Sequence, residues 1–434
     1  MQAHPQRLAW ITLIGGLTMF CLVCSGTFMF ARWLVFDSPT ELNVTLHVGR
    51  GTVTLAEPDT TDAIAIRTDA SVGDDDRIST DEEAQGLLDI SDPYSDQSLA
   101  TITLHHNSSL TLDSASRPRF NVSDNAYTIR IKELSGRLDV WVRPELDRDI
   151  SLDLAGPMGT VHITTGGSYL LDQNPTYFQV MVRAGSATLI SPEGNPQHIT
   201  ANLQGTIFTG TQTVMVDAAP TDLLPDSTFD LAKESDWPVE WTCTFLESRA
   251  FPNAPRGEWD FTSIDGRSVT HIQRLEPNPG QGKTVCLQNL LENDTGLNVT
   301  GYETLRLRVV MQIHYQQLSG CGDAGSECPV MLHIVYTDTD GNPRDWYHGF
   351  YADYTPGLGK TRCSSCLEDH VRINSDIWYT YDVDLFNVLV GDWRPAAVTV
   401  FEVYADGHQY EILLDEVTLL ATRSVIDDNP RRLD

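Results

Sequence analysis

Residues Leu8 to Ala31 carry no charge at all, and this run sets the first limit on what the chain can fold into. It is rich in Leu, Ile, Phe, Met, Trp and Gly, and about 20 such residues suffice to cross a bilayer core of about 30 Å as a helix. A secretory signal peptide is also apolar, but its core is typically about 7–15 residues and ends at a small-x-small cleavage site. Here the run ends in the bulky FMFARWLVF, and neither Cys21 nor Cys24 follows the small residues that a lipid-modified cysteine needs. The reading is an uncleaved single-pass transmembrane helix over 8–36 with a short cytoplasmic end, 1–7. Arg7, the amino terminus and His4 precede the helix and Arg32 follows it, a modest positive excess that predicts the remainder outside the cytoplasm. The membrane is thus the first expected partner, with the C-terminal domains extracytoplasmic.

Charge narrows the remaining partners. Lys and Arg total 29 against 60 Asp and Glu, a net charge of −31 that repels phosphate backbones, so no nucleic-acid partner is expected. With 41% hydrophobic and 9% aromatic residues the chain still has the makings of packed domains.

Beyond the helix, helical periodicity gives way to short alternating runs. In TITLHH and YTIRIK apolar and polar residues swap at every step, as in strands with one buried face, and turns such as GDDD, DNA and SPEGN separate such runs. An all-β ectodomain follows. A rolled β unit is expected over 40–217, a linker over 218–226, a β-sandwich over 227–423 and a disordered tail over 424–434. The acidic DDDRISTDEEAQ reads as a solvated loop, and DLFNVLV as a single helical turn.

The segments VGRGTVTL (48–55), VGDDDRIST (72–80) and ATITLHHNSSLTLD (100–113) run in the order of a Gly-Val opening, a G-D step and a strand–turn–strand. ELSGRLDVWV (133–142), TVHITTGGSYLL (160–171) and VMVRAGSATLI (180–190) continue it. Together they make the stretch from about 44 to 210 resemble the extracytoplasmic domain of the FecR family. That resemblance implies a β module whose glycines serve turns. In iron-uptake regulators of that family a cytoplasmic segment contacts a sigma factor. Seven residues are too few to present such a surface, so sigma-factor regulation is not expected here.

The stretch from about 223 to 422 looks like a galactose-binding-like jelly roll, the architecture of many carbohydrate-binding modules. LLPDSTFD with WPVEWTC at its start and YEILLDEVTLLA (410–421) at its end carry the likeness. The resemblance implies a structural Ca²⁺ held by Asp226 and Asp415, with Glu416 beside them, since this hard cation takes six or more oxygens. The alternative leaves both as turn and solvent-facing residues.

Sugars are gripped by aromatic faces flanked by hydrogen bonders, and RDWYHGFYADY (344–354) offers both. Its candidates are Trp346, Tyr347, Tyr351 and Tyr354, with Phe350, and the polar Asp345 and His348, with Asp353; on a strand half of them would instead face a core. No G-x-S-x-G, H-E-x-x-H or phosphate loop occurs, so no catalytic residue is assigned and a non-catalytic role is expected.

Six cysteines lie past the helix: Cys243, Cys286, Cys321, Cys328, Cys363 and Cys366. In an oxidising compartment an even number favours disulfides, locally Cys243–Cys286, Cys321–Cys328 and Cys363–Cys366. Two alternatives stay open: a four-thiolate Zn²⁺ site from CGDAGSEC and CSSC, whose C-x6-C half is wide for zinc, and a redox pair at CSSC. The function expected is surface binding or sensing with a glycan or polysaccharide as ligand. The alternative is a structural or assembly protein of the cell surface that packs against other proteins or copies of itself.

Overall fold

The computed structural model describes residues 5–58, 62–95, 97–211, 213–230, 240–247, 254–277, 280–291 and 295–423. The apolar run forms one α-helix, Pro5–Arg32, continued by a π-helical turn, Trp33–Asp37. Within Ala9–Asp37 its most apolar 18-residue window has a mean hydropathy of 1.9, and none of that window is buried against the rest of the chain. Among the described residues it is the one helix long and apolar enough to cross a membrane. The rest is β structure, as the alternating patterns require; the expected tail, 424–434, lies outside the described residues.

The first module runs from Pro39–Glu41 to Met215–Ala218 as two face-to-face layers closed into a flattened barrel. Hairpins alternate between the layers, so every second side chain meets its counterpart across one core, with Leu46, Ile78, Leu104, Leu138, Leu171 and Val180 fully enclosed. The strand Tyr127–Val142 belongs to both layers. Its first half pairs with Ser109–Pro118 and, in parallel, with Ile150–Gly156; its second half pairs with Ser98–Leu104 and Gly167–Gln173. The turn between the halves needs positive φ at Glu133 (55°) and Gly136 (85°). A Cβ on Gly136 would sit 2.4 Å from Ser108 Oγ, so close approach and conformation both require glycine.

One expectation fails in this module. DDDRISTDEEAQ is no loop: it holds the strand Arg77–Thr80, paired on both sides, with Ile78 fully buried. A single large apolar residue, Ile78, within a polar stretch gives too weak a period to read, and the strand is fixed by its partners.

The second module is a sandwich of a six-stranded and a seven-stranded antiparallel-dominated sheet. It begins inside the expected linker: Thr221–Asp222 already pairs with the last strand, Tyr410–Arg423, leaving only Ala219 and Pro220 between the modules' strands. DLFNVLV contains the single helical turn Leu385–Val388, capped by the Asp384 carboxylate on the Phe386 N–H. The core between the sheets gathers Leu307, Ile313, Leu332, Trp346, Phe401 and Leu419.

The modules do not hang apart. The outer face of one layer of the first module, through Gln85, Thr101, Arg137, Asp139 and Arg183, lies on the outer face of the six-stranded sheet. Gln85 pairs with the backbone of Thr380 through both its amide groups, at 2.9 and 2.8 Å. Asn374 likewise donates to Val48 O at 2.6 Å.

Candidate functional site

The aromatic stretch 344–354 falls on the strand Pro343–Tyr351 of the seven-stranded sheet, paired with Val330–Asp338. Period-two alternation divides it. Trp346, His348 and Phe350 point into the sandwich core with relative exposures of 1%, 2% and 0%. Trp346 and Tyr381 stack on opposite sides of the His348 environment, at 5.7 and 4.8 Å between ring centroids. Burial pushes the His348 imidazole down to about 3, so it is neutral at physiological pH. Trp346 and His348, expected as ligand contacts, are therefore core residues. Tyr351 points outward but lies under the loop closed by Cys321–Cys328, with Tyr354 packed on it at 5.9 Å. Of the expected contacts, Asp345 and Tyr347 remain on the open side of the strand, with the exposed Asp353 and half-buried Tyr354 in the loop beyond it.

Residues that the sequence did not single out join them there. Cross-strand register aligns Leu287, Glu402, His333 and Tyr347 in one row over four adjacent strands. Four strands at about 4.8 Å spacing make a row roughly 14 Å long. Tyr347 stacks on His333, with centroids 4.1 Å apart and planes 6° from parallel. His333 bridges two carboxylates, Nδ1 to Glu402 Oε2 and Nε2 to Asp345 Oδ1, each at 2.8 Å. The hydrogen bond from His333 holds Glu402 below the usual carboxylate range. The outcome is a half-open phenol ring held rigidly beside two carboxylates, an apolar face with acceptors around it. His333 and Glu402 carried no sequence signal, because their strands read only as generic alternation.

Beside this row Lys283 Nζ lies 3.3 Å from the centroid of the Tyr404 ring, and burial lowers its pKa. Asp406, opposite Lys283 in register, is pushed up to about 6, first by burial and then by Glu327. The folded carboxyl thus holds a proton in the window from about 6 down to 3.8 that the unfolded chain has released, so stability rises as pH falls through that window. Asp406→Asn, which keeps a side-chain oxygen for Gln281, is expected to raise the urea midpoint at pH 7.5 and flatten its rise between pH 7 and 4.5. An unchanged pH slope would refute the assignment.

All three local disulfides are present: Cys243–Cys286, Cys321–Cys328 and Cys363–Cys366. With the sulfurs bonded in pairs, neither a four-thiolate Zn²⁺ set nor a free redox pair at CSSC describes this state. His370 ties the two loop bridges together. Its Nδ1 accepts the Gly349 N–H at 2.9 Å, Nε2 meets Gly325 O at 2.8 Å, and Cys366 Sγ is 3.7 Å away. Gly349 has no room for a side chain, since a Cβ there would be 2.4 Å from Cys328 Sγ.

Asp226 and Asp415, expected to hold Ca²⁺, have other contacts in the structure. The cation facing Asp415 is the guanidinium of Arg267, and the Asp226 carbonyl accepts Trp241 Nε1–H at 3.0 Å. Among the described residues, the groups of three or more His, Cys, Asp or Glu side chains with ligand atoms close enough to share a metal are those of His370 with either loop cystine, and neither contains these aspartates. Asp415 and Glu416 belong instead to the junction between the modules. Arg308 donates to Asp139 at 2.6 Å and to Glu416 at 2.8 Å, Arg183 pairs with Glu416, and Asp382 takes both Arg137 and Arg306. His105 closes on Asp139 at 2.7 Å. Arg267 also donates to Thr101 at 2.7 Å and is held over one tryptophan from each module, Trp141 at 4.1 Å and Trp378 at 5.1 Å. Burial alone would raise the pKa values of Asp139 and Asp382; the surrounding guanidinium charges outweigh it and hold both below the usual range.

No protein-family model and no curated relative matches the sequence. Among solved structures, a candidate anti-sigma factor from Parabacteroides distasonis is similar over 33% of this chain and 59% of its own, at 14% identity and a TM-score of 0.25. The family 11 carbohydrate-binding module of Clostridium thermocellum, solved with a β-1,3-1,4-mixed-linked tetrasaccharide, is similar over 48% of this chain and 99% of its own, at 10% identity and a TM-score of 0.24. A xylan-binding domain from Paenibacillus barcinonensis is similar over 43% and 87%, at 8% and 0.19. At such TM-scores these likenesses carry no argument about what the chain binds.

Proposed function

We propose that the chain is an extracytoplasmic binding protein, held to the membrane by its N-terminal helix, that takes an extended glycan across the open face of the seven-stranded sheet. The observation that carries this reading is the row Leu287–Glu402–His333–Tyr347 with Asp345 beside it: an aromatic surface flanked by fixed acceptors suits a pyranose, which has an apolar face and a rim of hydroxyls. Three disulfides support an oxidising compartment. The charged junction supports a fixed mounting of the sandwich on the first module, so that the face is presented at a set angle to the anchor.

The test is polysaccharide pull-down and glycan-array binding by the purified chain, followed by Tyr347→Ala. Loss of the stacking ring is expected to weaken binding about 10–100-fold with little change in the melting temperature. Binding that survives Tyr347→Ala unchanged would move the site elsewhere. A chain that binds no glycan and forms a stable homo-oligomer would support the assembly role instead.

A further inference from the structure

The end of the N-terminal helix is bolted to one loop of the first module. Ser123 Oγ and Asn125 Nδ2 both donate to the Phe36 carbonyl, at 2.6 and 3.0 Å. The Arg119 N–H donates to Ser38 O at 2.9 Å. Arg148 braces the loop from behind, donating to the carbonyls of Ser123 and Asn125 at 3.2 Å each. Residues 119–125 are thereby held level with the π-helical turn Trp33–Asp37.

Two apolar side chains of this loop stand partly open to solvent: Phe120 is 41% and Val122 60% exposed. On the helix beside them Trp33 and Phe36 are 50% and 43% exposed. In a chain of net charge −31, solvent-facing apolar residues clustered at the helix exit need a partner. The level of the loop identifies it. At 1.5 Å per residue the uncharged run Leu8–Ala31 is about 36 Å long, enough to use up the hydrocarbon core and leave Trp33–Asp37 at the boundary between acyl chains and headgroups. Whatever is bonded to Phe36 O lies at that level too. Aromatic and aliphatic side chains partition into this zone, and the exposed Arg119 suits its headgroup side.

We infer that the loop 119–125 is a membrane-contact collar: Phe120 and Val122 dip into the phospholipid headgroup–acyl boundary beside the helix and set the orientation of both modules over the membrane. The inference rests on the proposal that the helix spans the bilayer, and the experiment separates the two. The full chain, with Cys21→Ser and Cys24→Ser, is reconstituted in vesicles of phosphatidylcholine and phosphatidylglycerol. Single nitroxide labels are placed by Phe20→Cys in the helix, Val122→Cys in the collar and Leu358→Cys on a sandwich loop, and collision with oxygen is compared with collision with a water-soluble nickel chelate. The collar predicts that labels at 20 and 122 both favour oxygen, the one at 122 being shallower, with a ratio several-fold above that at 358. A label at 122 as open to nickel as that at 358, while the label at 20 favours oxygen, overturns the collar and leaves the anchor standing. A label at 20 open to nickel overturns the anchor and the collar with it.

Discussion

Arg308→Ala is expected to cost about 3–5 kcal/mol of stability, because it removes a buried guanidinium that Asp139 and Glu416 share across the junction. Arg308 is 5% exposed and touches Asp139 of the first module and Glu416 of the second, with Asp382 at 3.7 Å. Chemical unfolding of the detergent-solubilised chain would show the loss, and Arg308→Lys should recover only part of it, since an ammonium cannot serve the two acceptors as a planar fork does. A double-mutant cycle with Asp139→Ala should give a coupling above about 1 kcal/mol. Additive effects, each under about 1 kcal/mol, would show that the junction is a loose contact. The pH dependence has a definite sign. Asp139 and Asp382 are depressed in the folded chain, so their contribution is complete above the ordinary aspartate value of 3.8 and is lost as pH falls below it.

Trp346→Ala is the second large effect, about 3–5 kcal/mol, for a different reason: it empties a core site whose neighbours on both sheets are already locked in place. Trp346 faces inward opposite Ile334 at 1% exposure, while the next residue, Tyr347, faces out. The pair of variants therefore separates packing from recognition. Trp346→Ala should lower the unfolding midpoint sharply and weaken binding only as the fold is lost, whereas Tyr347→Ala should do the reverse. If Trp346→Ala abolished glycan binding and left the midpoint unchanged, the inward assignment of this strand face would be wrong.

The strand 343–351 shows how far local pattern reaches. Alternation there is plain in the sequence, but both of its faces are aromatic, Trp346, His348 and Phe350 on one and Tyr347 and Tyr351 on the other. Periodicity separates such sets without saying which is the core; only the second sheet, with Tyr381 against His348, decides that. Of the disulfides, two span only 7 and 3 residues, while Cys243 meets Cys286 across facing strands, a register that only the sheet supplies. On the closing strand, Asp415 and Glu416, which the resemblance sets beside a calcium ion, face the guanidinium groups of Arg267, Arg183 and Arg308, partners far away in sequence.

What the residues by themselves determined is short in range: the apolar helix, most of the alternating strands and the turn glycines. Each follows from a period or from a backbone φ that only glycine takes readily. What only the tertiary structure decided is the charged junction and the open row on the seven-stranded sheet. Arg137 meets Asp382 across 245 residues and Arg308 meets Asp139 across 169, and a charge pattern along a chain does not say which buried carboxylate an arginine will face. Desolvation makes such pairs costly unless matched, so the stacking of two sheets selects the partners, and no segment read alone contains that choice.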